Sequence, residues 1–392
     1  MKKRKVLFVV HQLNHGGVQK SLITALNAID YTQNEVTLYI RKSRTQLLDM
    51  VNPKVHRIII NDDKTHYYRK PYMIYLQICK KICELLQKNN KSESIQKEIA
   101  MHLNQEQMKY EIAHNVELQE SYDVAISYIQ GYTAKFVAQY VNAKKKVMFF
   151  HGSTDETHEL HEEIMPSFDY IVGVNENVQR ILENLYPACA EKMTYIENYV
   201  DAEEIREKAK AFTIEKEDTR IVLCSCGRLT PVKGFDLAVE AAKKLRSSGV
   251  NFIWYFVGDG SERSKIENLI TQYELESNII ITGMQDNPYP YIAACDIYVQ
   301  PSYEEAHPLT IEEAFILRKP VVTTNTVGGM VLVSNSTDGV VTNMDGVAIA
   351  EGVKTILKDK DFQGKMEQHL KDKNYEECAE EYRANWKRIL EE

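Results

Sequence analysis

The sequence predicts an α/β protein made of two doubly wound domains. Short apolar runs recur along the chain and alternate with helical patterns, which is how parallel strands joined by crossover helices read. The chain has 392 residues, more than a single core ordinarily serves, so two domains of about 200 residues each are expected. Hydrophobic residues make up 44% of it, a globular proportion that excludes a disordered chain.

In the first half, Lys5 to Val10 reads as a strand, His15-Gly-Gly17 as the turn after it, and Val18 to Ile29 as the following helix. Strand-like runs continue at Val36 to Ile40, Val55 to Ile60, Val124 to Ser127, Val147 to Phe150 and Tyr170 to Val174. A charged, helix-prone segment, Ala202 to Asp218, reads as the interdomain connection. Beyond it, strands are expected at Arg220 to Cys224, Phe252 to Val257, Ile279 to Ile281, Ile297 to Gln300 and Val321 to Thr323. Tyr375 to Leu390 reads as a terminal helix. The expected division is residues 1–200, residues 201–374 and the C-terminal helix of residues 375–392.

Charge separates the halves. Residues 1–200 hold 25 Lys+Arg against 23 Asp+Glu, a net of +2, and residues 201–392 hold 23 against 33, a net of −10. That balance argues against nucleic acid as a partner. The apolar run after the basic start, Val6 to Val10, is too short for a signal sequence, and no stretch approaches the roughly 20 residues of a membrane span. A cytoplasmic protein is expected. The 7 cysteines form no disulfide framework, and Cys224-Ser-Cys226 lacks the second ligand pair of a zinc site.

Site chemistry concentrates at residues 299–314. The run Ile297-Tyr-Val-Gln-Pro301 stops at a proline, as a buried strand should. Glu305 follows in the loop beyond the strand's carboxyl end. Pro308 stands where a helix begins and a missing N–H costs nothing, and the amides of Leu309 and its neighbours are free to meet an anion. Glu313 falls in the first turns of that helix. Ligands of open α/β sheets bind in such a crevice. Upstream, Arg228 and Lys233 in Cys226-Gly-Arg-Leu-Thr-Pro-Val-Lys-Gly234 offer a forked contact and a point charge for phosphate, with Gly234 letting backbone come close.

These segments together resemble retaining glycosyltransferases of family 4, which have the GT-B architecture of two facing Rossmann-like domains with a C-terminal helix crossing back to the first. Glu305 and Glu313 match the E-x7-E signature, residues 226–234 the G-R-L-x-x-x-K-G segment and Val257-Gly-Asp-Gly260 the V-G-x-G turn. Ile281-Thr-Gly283, Pro290 to Asp296 and Val327-Gly-Gly329 extend the agreement in order and spacing over about 110 residues.

The resemblance implies a metal-independent, retaining transfer of a hexose-type sugar from a nucleoside-diphosphate sugar, with UDP the expected nucleotide, to a hydroxyl of a glycan or lipid-linked glycan; no cofactor is implied. It assigns Arg228 and Lys233 to the diphosphate, Glu313 to the ribose hydroxyls and Glu305 to the transferred sugar. It also places Gly16 and Gly17 beside donor and acceptor, His151 next to the sugar, and Gly227, Gly258, Met284, His307, Pro308 and Leu309 among the substrate contacts. His151, Arg228, Lys233 and Glu305 are the expected catalytic group. The sequence departs from the pattern at Ala306-His307-Pro308, commonly Gly-Phe-Pro, so His307 either bonds sugar or phosphate or simply packs. Asn198-Tyr-Val-Asp201 and Met330 are further departures.

Rival readings are a nucleotide-sugar epimerase or hydrolase of the same architecture and a non-catalytic sugar-nucleotide-binding subunit. The metal-binding Asp-x-Asp of other glycosyltransferases has one counterpart, Asp359-Lys-Asp361, expected to be solvated surface in a charged helical tail. Between Lys64 and Lys91, seven basic residues with one acid and four interleaved tyrosines (Tyr67, Tyr68, Tyr72, Tyr75) form a basic amphipathic helix. It reads either as a domain helix with a solvated face or as a dock on an anionic membrane surface, at its inner face, where a lipid-linked acceptor waits.

Overall fold

The computed structural model describes residues 2–14, 16–41, 45–59, 78, 105–152, 158–215, 219–371 and 375–391. These divide into two compact units. The first comprises Met1–His151, Asp155–Tyr195 and Trp386–Glu392, and the second Gly152–Thr154 and Ile196–Asn385.

The first unit holds a seven-stranded sheet: β1 (Arg4–Val10), β2 (Asn34–Ile40), β3 (His56–Ile59), β4 (Tyr122–Ser127), β5 (Ala143–Phe150), β6 (Tyr170–Gly173) and β7 (Met193–Tyr195), in the order β3-β2-β1-β4-β5-β6-β7. Every pairing is parallel. Val6 lies between Val36 of β2 and Val124 of β4, so β1 is central, and Val6–Val10 are buried. A sheet covered on both faces needs such unbroken apolar runs rather than alternation. The terminal helix Tyr375–Glu391 anchors its last turns here through Trp386, whose ring stacks on Phe149 at 5.1 Å and lies 5.7 Å from Phe8.

The second unit holds six parallel strands, β8 (Ile221–Cys226), β9 (Phe252–Val257), β10 (Ile279–Gly283), β11 (Ile297–Gln300), β12 (Val321–Thr324) and β13 (Gly339–Thr342), in the order β10-β9-β8-β11-β12-β13. One face packs Phe235, Ala238, Ala242 and Leu245 of the helix Phe235–Ser247 against Trp254 and Phe256. The other packs Ile311, Ala314 and Phe315 against Cys224 and Tyr298. Polar groups inside the sheet are matched: Trp254 Nε1 donates to Ser225 Oγ, which donates to the Val299 carbonyl at 2.6 Å. At the opposite end, Asp296 Oδ2 accepts from the Val222 amide at 2.7 Å and ties β11 to β8.

The expected doubly wound units are therefore present. Two edge strands, β7 and β13, escape the sequence reading because each is short and lacks an apolar run. Among the described residues of the connection, only Ala202–Lys208 is an α-helix, and it belongs to the second unit. Asp359-Lys-Asp361 lies in the turn between the helices Gly346–Lys358 and Phe362–Lys371, not within a helix, because Asp359 accepts from the Asp361 amide and draws in Lys365. No helix among the described residues is long and apolar enough to cross a membrane.

Candidate active site

In the second sheet the chain order reverses between β8 and β11, and their carboxyl ends release the two loops that carry the candidate residues. Such a switch point leaves an open crevice above adjacent strands. The β8 loop begins with Gly227 and the exposed Arg228, then buries Leu229 completely. Pro231 opens a short helical turn ending at Lys233, and Gly234 follows with a left-handed backbone, φ 63°. A Cβ on Gly234 would lie 2.0 Å from the Pro301 carbonyl oxygen. Only glycine lets the β8 loop touch the β11 loop so closely, and Tyr303 adds a backbone bond to the Val232 carbonyl at 2.9 Å. Gly258 is held in the same way, because a Cβ there would meet the Gly227 carbonyl at 1.9 Å.

That contact brings two of the predicted residues together. Lys233 Nζ lies 2.6 Å from Glu305 Oε1, with 24% of the lysine side chain and 10% of the glutamate exposed. The same oxygen accepts from Gln300 Nε2 at 2.9 Å and Ser302 Oγ at 2.8 Å. All three donors converge on Oε1, so Oε2 keeps acceptor capacity. The loop behind is fixed by Gly328, whose amide donates to the Glu305 carbonyl at 2.8 Å and whose missing Cβ leaves room for Pro308 and Ala306.

Pro308 precedes the helix Leu309–Ile316. Glu313 sits in its second turn, 1% exposed, with Tyr289 donating to its Oε1 at 3.2 Å. His307 lies almost wholly inside, its ring nitrogen 3.7 Å from Glu312 Oε2. Leu309 is buried, whereas Met284 is 44% exposed beyond β10. Arg228 carries no ion pair among the described residues, so one fixed cation of this loop is uncommitted and the other is neutralised by Glu305.

In the first unit, Gly16 and Gly17 open the helix Gly17–Ala28 after β1, and a Cβ on Gly17 would meet nothing within 4 Å. His151 follows β5; its ring lies 5.1 Å from Tyr128 and its amide donates to Gln130 Oε1 at 3.1 Å. Ser21 and Tyr128 share a hydroxyl bond at 2.8 Å, linking the glycine turn's helix to the aromatic cluster beside His151. His15 and the basic segment between Lys64 and Lys91, Ile78 apart, lie outside the described residues.

Sequence reasoning missed Gln300, Ser302, Thr310 and Tyr289. A signal was available: a glutamine closing an apolar strand before a proline must be buried, and a buried amide must find partners.

Residues 206–377 match the profile of the family described as glycosyl transferases group 1. The chain is 30% identical over 139 residues to the lipopolysaccharide core biosynthesis glycosyltransferase LpsE of Rhizobium meliloti, covering 35% of this chain and 40% of that protein. It is 25% identical over 199 residues, half of each chain, to an N-acetylgalactosaminyltransferase of Campylobacter jejuni that is named for a diphospho-undecaprenol substrate. The chain thus spans about two fifths to a half of these curated relatives. The crystal structure of Anabaena HepE with UDP and glucose superposes with a TM-score of 0.68 over 98% of this chain and 97% of that one, at 16% identity. Together with the two parallel sheets, this likeness identifies the fold as GT-B.

Proposed function

We propose that the chain is a retaining glycosyltransferase that moves a hexose-type sugar from a nucleoside-diphosphate sugar, with UDP as the nucleotide, to a hydroxyl of a glycan or lipid-linked glycan without a metal. The observation that carries this reading is the Lys233–Glu305 pair at the switch point of a unit whose residues 206–377 match the glycosyl transferases group 1 profile. When the bond to the sugar breaks, negative charge grows on the departing diphosphate, and preorganised cations lower the barrier. Arg228 is exposed and uncommitted, and Lys233 is within reach of the same loop. A carboxylate loaded on one oxygen presents the other to sugar hydroxyls, the role proposed for Glu305. Glu313, held by Tyr289, is assigned to the ribose, and Gly16, Gly17 and His151 to the first unit's share of the sugar and acceptor contacts. Retention requires the acceptor to enter on the leaving group's side, where the departing phosphate oxygen takes its proton. No separate base is then needed.

The named substrate of the Campylobacter relative and the UDP in the HepE crystals support a lipid-linked acceptor and a uridine nucleotide. Docking of the basic segment between Lys64 and Lys91 on an anionic bilayer belongs to the same proposal. Co-sedimentation with anionic vesicles that disappears at high salt supports it, and indifference to anionic vesicles at low salt removes it.

Calorimetric titration separates the two glutamates. Glu313→Ala is expected to weaken binding of bare UDP about tenfold, the scale of a bond to a charged group. Glu305→Ala is expected to leave bare UDP unaffected and to remove the extra affinity of the sugar nucleotide. Equal losses on bare UDP contradict this division.

A further inference from the structure

The amide of Gln300 is fixed from both ends. Its Oε1 lies 2.9 Å from the Tyr298 hydroxyl and 2.9 Å from Thr310 Oγ1, and burial holds the Tyr298 hydroxyl protonated by pushing its pKa well up. Both neighbours can donate. On the other side, Nε2 meets Glu305 Oε1 and Ser302 Oγ, each at 2.9 Å, and a carboxylate can only accept. The side chain is therefore oriented by its partners, with both N–H groups used, and it is 4% exposed. Ser302 is anchored in turn, its carbonyl accepting from Thr324 Oγ1 on β12.

Lys233 is the one partner of Glu305 Oε1 that the proposed donor also claims. A lysine ammonium has three donors on a flexible stem, so it can swing to a diphosphate, whereas Gln300 and Ser302 are buried and cannot follow. We propose that Gln300 is a positioning residue, which with Ser302 keeps the Glu305 carboxylate aimed at the sugar once Lys233 engages the diphosphate. This rests on the donor site proposed above. Gln300 touches no substrate itself; the charged and titratable groups around it are Lys233, Glu305, Tyr298 and Cys226, the last through its backbone and its effect on the Tyr298 hydroxyl.

The test uses the full chain and whichever of UDP, GDP, ADP or dTDP raises its melting temperature most, alone and as its hexose esters. For Gln300→Leu, affinity for the bare nucleotide is expected to stay within about twofold of wild type, while the sugar nucleotide loses about tenfold. Thr310→Val, which frees one side of the amide, is expected to change binding in the same direction and less, and it carries the comparison if Gln300→Leu does not fold. Combining either substitution with Glu305→Ala is expected to cost no more than Glu305→Ala alone, because residues acting as a unit are not additive. Gln300→Glu adds a second readout. Its acid form still donates to Glu305, and its ionised form repels it, so sugar-nucleotide affinity should be retained at low pH and lost as pH rises through a titration absent from wild type. Unchanged sugar-nucleotide binding in Gln300→Leu or Thr310→Val, losses that multiply with Glu305→Ala, or a wild-type pH profile for Gln300→Glu overturns the proposal. If Glu305→Ala itself leaves sugar-nucleotide affinity intact, the donor-site reading fails as well.

Discussion

The two sheets share the order of their first six strands, yet the carboxyl ends of their central strands carry opposite chemistry. Above β8 and β11 the second unit presents Arg228, a lysine paired to a carboxylate, and a buried amide that orients that carboxylate. Above β4 and β5 the first unit packs the buried rings of Tyr128, Phe149 and Trp386, with His151 tilted against Tyr128. The same place in the strand order thus carries charge in one unit and packed aromatic rings in the other. The glycines differ too. Gly234 and Gly258 of the second unit are demanded by the chain's own backbone, while Gly17 of the first has open space where its Cβ would stand.

The largest expected effect breaks the first unit without touching the second. Trp386 is 1% exposed and joins three aromatic rings, so Trp386→Ala should cost about 3–5 kcal/mol in a denaturant melt. Near-wild-type stability would mean that the terminal helix only rests on the sheet. The converse experiment breaks charge and spares the core. Lys233→Ala should fold normally and lose about a hundredfold or more in turnover, the scale of one preorganised electrostatic contact. Unchanged kinetics would take Lys233 out of the site. The smallest effects sharpen the contrast between glycines: Gly234→Ala should cost at least about 2 kcal/mol through its left-handed backbone and its contact with Pro301, whereas Gly17→Ala should shift stability by less than about 0.5 kcal/mol. A fall in turnover for Gly17→Ala with its melt unchanged would mark open space that a substrate fills.

Much of this was legible because buried parallel strands leave unbroken apolar runs. Val6–Val10, Phe252–Val257 and Ile297–Gln300 announce themselves, and each lies at or next to the centre of its sheet. The edges β7 and β13 are short and partly solvated, and their sequences carry no such mark. At the site, Arg228, Lys233 and Glu305 stood out because their segments resemble the motifs of a known family. Gln300 and Ser302 did not, because their role depends on which atoms meet in three dimensions. The sequence also cannot reveal that Glu305 is loaded on one oxygen by three donors.

The most direct measurement incubates the purified protein with UDP-, GDP-, ADP- and dTDP-hexoses and a lipid-linked glycan acceptor, in excess EDTA, and follows the fate and anomeric configuration of the sugar. The account predicts transfer to an acceptor hydroxyl with the donor's configuration retained, and loss of that transfer in Glu305→Ala. An epimerised or hydrolysed nucleotide sugar, binding without turnover, an inverted product, or activity that returns only with added Mn2+ would contradict it.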